Sequence, residues 1–300
     1  MGKKCLIVFN PKSGDTDFGT PELMEMADLN LPSFSLSLFE TTGGDDSAKI
    51  ITLYEEFQPD LVLIAGGDGT IKMVAKFLED KDCPLGILPF GSANGLAKCM
   101  GINGVPDAWE AMREYKIHGV DAIQINGELC LHLADFGINA NMIRKFEQDD
   151  TRGMLGYVKH SLSEIFGSES KKFLLKTGEE TIEIEAKMIV IANGDQYGTG
   201  AKINCGGLMD DGKFEIIALN PQAADDYLRM TIEFFRGDLH DDPACQTWRL
   251  ETCEIINLEG AVFQIDGEMF GKPDSVQVQI EKHKYKFITG KSFATCQLPS

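Results

Sequence analysis

Apolar and polar residues follow two kinds of pattern over the first 116 residues. Short, nearly continuous apolar runs at residues 5–9, 61–65 and 85–88 predict strands, since strands buried on both faces of a parallel sheet read this way. Residues 34–39 alternate apolar and polar positions and predict a further strand. Helix-like amphipathic stretches, such as residues 47–57, separate these runs. Strands that alternate with helices predict an α/β domain, a parallel sheet wrapped by helices.

The pattern changes at residue 121. Asn126-Gly127 lies between two strand-like runs, residues 122–125 and 128–135, and is a strong signal for a β-hairpin. Further runs predict strands at 173–177, 181–192, 214–219, 248–258, 262–265, 276–280 and 285–288. Two helical segments, about 153–166 and 223–235, interrupt them. The second half is therefore predicted to be a mostly antiparallel β domain.

Length and composition agree with two folded domains. The chain has 300 residues, which exceeds the size to which one hydrophobic core usually grows. Its 43% of hydrophobic and 25% of charged residues are typical of a globular protein. We expect a first domain at residues 1–120 and a second at 121–290. A C-terminal tail, 291–300, could return to the first domain.

The charge balance limits the classes of partner. Asp and Glu outnumber Lys and Arg 47 to 28, and the formal net charge is −19. This charge opposes broad adsorption onto nucleic acid or anionic membrane, so we expect no nucleic-acid partner and only peripheral membrane contact. The chain shows neither a signal-peptide pattern nor the ~20 consecutive apolar residues of a membrane span. Eight scattered cysteines without a C-x-x-C pair suit reduced thiols. A cytoplasmic protein, transiently at the membrane, is the expectation.

A glycine-rich turn carries the strongest local chemical signal. Gly66-Gly67-Asp68-Gly69-Thr70 follows an apolar strand and precedes an amphipathic helix. Glycines let backbone N–H groups approach an anion, and a helix N-terminus favours phosphate. Asp68 is placed to hold Mg²⁺ on such phosphates. Taken alone, the segment is equally consistent with an ordinary turn between strand and helix.

Two similar loops follow other strands of the same domain. Residues 10–14, Asn-Pro-Lys-Ser-Gly, follow the first strand, and residues 89–95 follow the fourth. Ligands of open α/β sheets bind at the carboxyl ends of the strands, so the three loops together indicate one anionic ligand of nucleotide size. None of them matches the P-loop or the common dinucleotide-binding pattern.

Seven ordered motifs resemble a known family. NPKSG, GGDGT, LPFGSANGLAK, ADFGINA, NGDQYGTGAKI, MDDGKFEI and IDGE are similar to those of the diacylglycerol kinase catalytic-domain superfamily, which includes bacterial lipid kinases and the sphingosine and ceramide kinases. The resemblance implies an NAD kinase/diacylglycerol kinase-like α/β domain followed by an antiparallel β-sandwich. It further implies ATP- and Mg²⁺-dependent transfer of the γ-phosphate to a lipid hydroxyl, that of diacylglycerol or a related lipid at the membrane surface.

The resemblance also implies roles for individual residues. Asp266 would be the first candidate for the catalytic base, with Glu268 beside it facing the acceptor and Asp68 on the phosphates and Mg²⁺. Asp121 would join the metal–water network. The nucleotide would be lined by Asn10, Pro11, Ser13, Gly14, Thr42, Gly66, Gly67, Asp68, Gly69, Thr70, Gly91, Ser92 and Asn94. Judged without the family, Asp266-Gly267 is more simply a tight turn between strands.

The resemblance implies a second, structural cation. In bacterial members such an ion lies at the loop that corresponds to residues 208–213. Here the side chain of Asp211 and the backbone oxygens of Leu208 and Lys213 would be its ligands, and oxygen ligands suit Mg²⁺ or Ca²⁺. The alternative is an acidic surface turn without metal.

The chain departs from the family pattern at two positions. Met73 stands where a glutamate usually follows GGDGT, and Gly95 stands where many bacterial members carry an aspartate. Two alternatives therefore stay open: an NAD kinase-like enzyme with a soluble substrate, and a catalytically silent nucleotide- or lipid-binding pseudokinase. The Asn-Glu pair of NAD kinases is missing at its expected place. The sequence determines neither the acceptor nor the oligomeric state, and a homodimer is compatible with it.

Overall fold

The chain divides into two compact units. The computed structural model describes residues 2–14, 19–137, 168–178, 180–195, 203–204 and 206–296. Unit 1 comprises Met1–Val120 and His283–Ser300, and unit 2 comprises Asp121–Lys282. The return to unit 1 lies inside the last strand, at His283, and not after residue 290 as the sequence suggested. The helix predicted at 153–166 lies outside the described residues.

Unit 1 has the predicted α/β architecture. Its strands are β1 (Lys3–Phe9), β2 (Phe34–Glu40), β3 (Leu61–Gly66) and β4 (Leu85–Pro89). Its helices are α1 (Thr20–Asn30), α2 (Ser47–Phe57), α3 (Asp68–Phe77), α4 (Gly95–Cys99) and α5 (Val105–Glu114). The four strands are parallel in the order β2-β1-β3-β4, and the end of the last strand pairs in parallel with β4. The predicted parallel sheet is confirmed.

Helices on the sheet of unit 1 explain its apolar strands. Every residue of β3 and β4 is buried, as expected for strands covered on both faces. In α3, Ile71, Val74 and Ala75 are buried at the spacing of one helix face. Close packing recurs at β4, where a Cβ on Gly86 would lie 2.7 Å from the sulfur of Met112 in α5. This packing holds the strand ends, and the loops that follow them, in place.

Over its described residues, unit 2 contains the remaining strands and a helix of 13 residues. β5 (Ile117–Ile125) leads into it from unit 1. The other elements are β6 (Glu128–Cys130), β7 (Leu133–Phe136), β8 (Lys171–Lys176), β9 (Thr181–Ala186), β10 (Met188–Ala192), β11 (Phe214–Leu219), α6 (Ala224–Arg236), a 3₁₀ turn (Leu239–Asp241), β12 (Cys245–Leu250), β13 (Thr252–Asn257), β14 (Phe263–Ile265), β15 (Glu268–Gly271) and β16 (Ser275–Ile288).

Two sheets of unit 2 form a β-sandwich. One is antiparallel throughout, in the order β12-β11-β10-β7-β14-β15, and the other joins β16, β13, β8 and β9 in antiparallel pairs. Phe136 and Phe263 from the first sheet pack with Phe173 and Ile255 from the second in one buried cluster. The outer face of the first sheet is covered by α6, whose Met230 and Phe234 are buried there. The predicted antiparallel β domain is confirmed as a sandwich.

Three predicted strands are each divided between the two sheets. The run 128–135 is interrupted at residues 131–132, so that β6 pairs with β5 in the sheet of β16 while β7 lies in the other sheet. The run 181–192, predicted as one strand, bends at Lys187 into β9 and β10, and the run 248–258 bends at Glu251 into β12 and β13. Strands of a sandwich change sheets at such bends while their apolar pattern continues, because both sheets bury residues in the same core. At the end of the described chain, two predicted strands are joined into one. The runs 276–280 and 285–288 form one strand, β16, in which His283 has a φ of 50°.

Candidate functional site

The three glycine-containing loops of unit 1 meet at the carboxyl edge of its sheet. Asn10 Nδ2 donates to Thr70 Oγ1 at 3.0 Å and joins the loop after β1 to the start of α3. The carboxylate of Asp68 accepts the backbone N–H groups of Gly95 at 2.9 Å and Leu96 at 3.0 Å, which joins α3 to the loop after β4. The structure therefore brings together the three strand ends that the sequence singled out.

Two glycines are required where these loops touch. Gly14 has a φ of 66°, and a Cβ there would lie 2.2 Å from the carbonyl oxygen of Phe90. A Cβ on Gly91 would lie 2.6 Å from the Cα of Gly67. In contrast, a Cβ on Gly69 would have no atom within 4 Å. The loops are thus closely packed at Gly14 and Gly91 and open at Gly69, in the first turn of α3.

Asp68 holds the shape of this edge. Its two carboxylate oxygens accept N–H groups at the N-terminus of α4, where backbone donors lack partners within the helix. Lys98 of the same short helix donates its Nζ to Ala93 O at 3.0 Å. Burial lowers the pKa of Lys98, while the negative charge of Asp68 acts in the opposite direction. The predicted contact of Asp68 with Mg²⁺ stays a prediction.

Thr42 lies in the exposed loop between β2 and α2. Its N–H and its hydroxyl each donate to a different carboxylate oxygen of Asp46, both at 2.8 Å. Burial acts to raise the pKa of Asp46, but these hydrogen bonds outweigh it and hold the pKa below its ordinary value. Asp46 is not among the residues predicted from the sequence. An aspartate directly before the predicted helix at 47–57 is the signal that could have found it.

Asn94 forms the turn that leads into α4. It has a φ of 53°, and its Nδ2 donates to Gly91 O at 2.6 Å. Its Oδ1 is buried and accepts no hydrogen bond from the described residues. Among the other predicted nucleotide residues, Ser13 is buried, whereas Pro11 and Ser92 are exposed. Asn94 therefore has a buried acceptor oxygen close to Gly91, where the loop turns into α4.

Asp266 lies in unit 2, in the turn between β14 and β15. The residue has a φ of 49°, and its carboxylate accepts three backbone N–H groups, from Leu131 at 3.1 Å, His132 at 3.0 Å and Leu133 at 3.2 Å. The thiol of Cys130 lies 3.6 Å from Oδ1. The tight Asp-Gly turn that the sequence allowed is present, and the aspartate also clamps this turn to the one between β6 and β7.

Glu268 begins β15 two residues later, with an exposed side chain. Two hydrogen bonds fix the turn before it. Gly267 N donates to Gln264 Oε1 at 2.6 Å, and Gln264 Nε2 in turn donates to the buried carboxylate of Asp135. Neither Gln264 nor Asp135 is among the site residues predicted from the sequence. A polar residue inside the apolar run 128–135 was the available signal. The hairpin that carries Asp266 and Glu268 is thus fixed by buried polar contacts.

Asp121 is fully buried in β5. Gly212 N donates to its Oδ2 at 2.6 Å, and its own N–H donates to Met209 O at 2.7 Å. Its carbonyl oxygen accepts Asn193 Nδ2 at 2.8 Å. Asp121 therefore anchors the loop 208–213, the loop that contains Leu208, Asp211 and Lys213.

Asp211 is paired with an arginine. Its Oδ1 accepts the N–H of Lys213 at 2.9 Å, and its Oδ2 pairs with the guanidinium of Arg249. The side chain of Asp211 is only 3% exposed. Within the ranges that the structure describes, no group of three or more His, Cys, Asp or Glu side chains could hold a metal ion. Arg249 could not be predicted from the sequence, because only strand pairing brings it to this loop.

Two domain families match the chain. Residues 4–125 match the diacylglycerol kinase catalytic domain. Residues 133–283 match the YegS C-terminal NAD kinase beta sandwich-like domain. The first match contains the three joined loops, and the second contains the hairpin of Asp266 and the loop of Asp211.

Individual relatives and a solved structure agree with these matches. The diacylglycerol kinase of Bacillus subtilis is 23% identical over 292 residues, which are 94% of this chain and 95% of that protein. An uncharacterized protein of Synechocystis is 25% identical over 284 residues, and the chain spans only 65% of its length. A crystal structure of a diacylglycerol kinase from Bacillus anthracis str. Sterne has a TM-score of 0.74 at 18% identity and covers 98% of both chains. This likeness shows a shared fold.

Proposed function

Because the chain belongs to the diacylglycerol kinase catalytic-domain superfamily, we propose that it transfers the γ-phosphate of ATP, bound with Mg²⁺, to the hydroxyl group of a lipid. The catalytic domain of this family is that of a phosphotransferase with an alcohol acceptor. ATP is the donor that kinase membership implies. Diacylglycerol or a related lipid at a membrane surface is the proposed acceptor.

The junction of the three loops is the observation that carries the proposal. Two hydrogen bonds join the loops at the carboxyl edge of a parallel sheet. One links Asn10 to Thr70, and the other links Asp68 to Gly95. The first turn of α3 offers backbone N–H groups and a partial positive charge beside the open space at Gly69. Phosphoryl transfer depends mainly on positioning and charge neutralisation, and a prearranged set of donors supplies both.

Asp68 is the residue that would hold the magnesium ion in unit 1. Carboxylate oxygens are the ligands that a hard cation prefers, and two backbone N–H groups fix the orientation of the Asp68 carboxylate. Asp121 stays assigned to the surrounding water network as a proposal. The ion would neutralise charge on the phosphates.

Asp266 is the proposed base for the acceptor hydroxyl. Three backbone N–H groups fix the orientation of its carboxylate, and a fixed base is what proton transfer in a transition state needs. Beside Glu268, the large apolar side chains of Met269 and Phe270 are 40% and 42% exposed. Exposed apolar side chains next to two carboxylates favour a lipid over a soluble acceptor.

Membrane contact in this proposal is peripheral and transient. In the described ranges of the chain, no helix has both the length and the hydropathy that crossing a bilayer requires. The acceptor would be reached at the membrane surface, and the apolar residues of β15 are the first candidates for that contact.

A product screen tests the proposed function. The purified protein is incubated with ATP, Mg²⁺ and vesicles that contain diacylglycerol, phosphatidylglycerol or a long-chain base, with NAD in a parallel reaction. Mass spectrometry should detect a phosphorylated lipid that Asp266→Asn no longer forms. Phosphorylated NAD would instead identify an NAD kinase-like enzyme. No product from any acceptor would favour the pseudokinase.

A further inference from the structure

In the loop 208–213, the side chain that a structural cation would need as a ligand is already paired with protein groups. Asp211, the side-chain ligand that the family resemblance implies, uses one oxygen for the N–H of Lys213 and the other for Arg249. The carbonyl oxygen of Met209 in the same loop accepts the N–H of Asp121. Both oxygens of the expected side-chain ligand and one carbonyl of the loop are therefore engaged by protein groups.

Strand pairing explains how Arg249 reaches this loop. In the antiparallel pair of β11 and β12, Arg249 lies directly opposite Glu215. Its Nε is 3.3 Å from Glu215 Oε1, while its terminal nitrogen pairs with Asp211. Residues opposite each other on one sheet face are close enough for such contacts. One guanidinium thus bridges two carboxylates from two parts of the chain.

Both carboxylates need a positive partner because both are buried. The side chains of Asp211 and Glu215 are 3% and 8% exposed, whereas that of Arg249 is 47% exposed. The other oxygen of Glu215 accepts a hydrogen bond from Asn204 Nδ2 at 2.7 Å. Isolated buried charges are costly, and a planar guanidinium can serve two acceptors at once. A divalent cation at the same carboxylates would be repelled by it.

We propose that Arg249 supplies the positive charge that holds the loop 208–213, so that folding of this loop requires no divalent cation. The inference does not rest on the proposed kinase activity, since any ion at the nucleotide phosphates is a separate matter. It turns the expected metal site into an ion-pair site built from Asp211, Glu215 and Arg249.

Thermal unfolding without nucleotide tests the inference on the wild-type chain. The melting temperature, Tm, should be the same in EDTA and in millimolar Mg²⁺ or Ca²⁺, and elemental analysis of the dialysed protein should find no bound stoichiometric metal. A tightly bound equivalent of metal that is lost in Asp211→Ala, with a lower Tm of the wild type in EDTA, would overturn the proposal.

Arg249→Gln provides the second arm. It should lower Tm by roughly 5 °C or more, since it leaves two buried carboxylates without their cation. Millimolar Ca²⁺ should recover part of this loss in Arg249→Gln but none in the double variant Arg249→Gln/Asp211→Asn, in which the charge of the loop carboxylate is also removed. An unchanged Tm in Arg249→Gln would contradict the inference. If this variant fails to fold, the metal content and the EDTA response of the wild type decide.

Discussion

Replacing Asp266 by asparagine separates the proposed base from the structural clamp. Asparagine is chosen because the native residue has a φ of 49°, and asparagine tolerates this left-handed region as well as aspartate does. The substitution removes the negative charge and one acceptor oxygen while it keeps the size of the side chain. Any loss then reflects charge and hydrogen bonding and not backbone strain.

The structure gives the size of the expected loss of stability. The N–H groups of His132 and Leu133 both donate to Oδ1, and that of Leu131 donates to Oδ2. If the amide oxygen replaces Oδ1, two bonds survive as neutral hydrogen bonds, and the amide NH₂ faces the N–H of Leu131. Weakening two charge-assisted bonds and losing a third should lower the free energy of unfolding by about 2–3 kcal/mol. Turnover should fall about 10²–10⁴-fold if Asp266 is the base.

The assay measures both quantities under conditions in which each variant is folded. Initial rates of lipid phosphorylation are compared at 25 °C, Tm is followed by calorimetry, and ATP binding, which should be retained, is followed by titration. Asp226→Asn is the matched control, because Asp226 also accepts two backbone N–H groups in unit 2, from Gln222 and Ala223 at 3.0 Å each. It should lower Tm but leave turnover unchanged. Wild-type turnover in Asp266→Asn would refute the role as base, and an unchanged Tm would refute the clamp.

Three further predictions concern the loops of unit 1 and the buried thiols. Gly91→Ala should lower both Tm and ATP affinity, because its Cβ would lie 2.6 Å from the neighbouring loop. Gly69→Ala should keep Tm and weaken only ATP binding, because its Cβ would have no atom within 4 Å. Equal losses of Tm in the two variants would contradict this prediction. Asp68→Asn should lower the free energy of unfolding by about 1 kcal/mol, since one N–H at the start of α4 loses its acceptor. Urea unfolding measures this loss. An unchanged midpoint would show that Asp68 does not stabilise α4 as a cap. Burial raises the pKa of Cys5 and Cys253 to about 12. Iodoacetamide at pH 8 should therefore label these two thiols only after the protein unfolds, as intact-mass spectrometry would show. Labelling of either thiol in the folded protein would disprove this prediction.

The sequence by itself determined most of unit 1. Strands β3 and β4 and helix α2 lie at or within one residue of their predicted positions, because apolar runs and helical spacing are local properties of the chain. The order of strands and glycine loops was enough to expect that the loops follow strand ends at one edge of a sheet. In unit 2 the sequence indicated the strands except β15. It did not indicate that the runs 128–135, 181–192 and 248–258 change sheets, since the apolar pattern continues through each change.

Only the tertiary structure decided what the candidate carboxylates do. The carboxylate of Asp266 accepts the N–H of Leu131, 135 residues away, and Asp211 pairs with Arg249, 38 residues away. Partners at such distances are set by which strands pair and in which register, and the register of β11 and β12 is what brings Arg249 to Glu215 and Asp211. Local sequence patterns predict where a carboxylate lies in an element, whereas its partner depends on how distant elements pack.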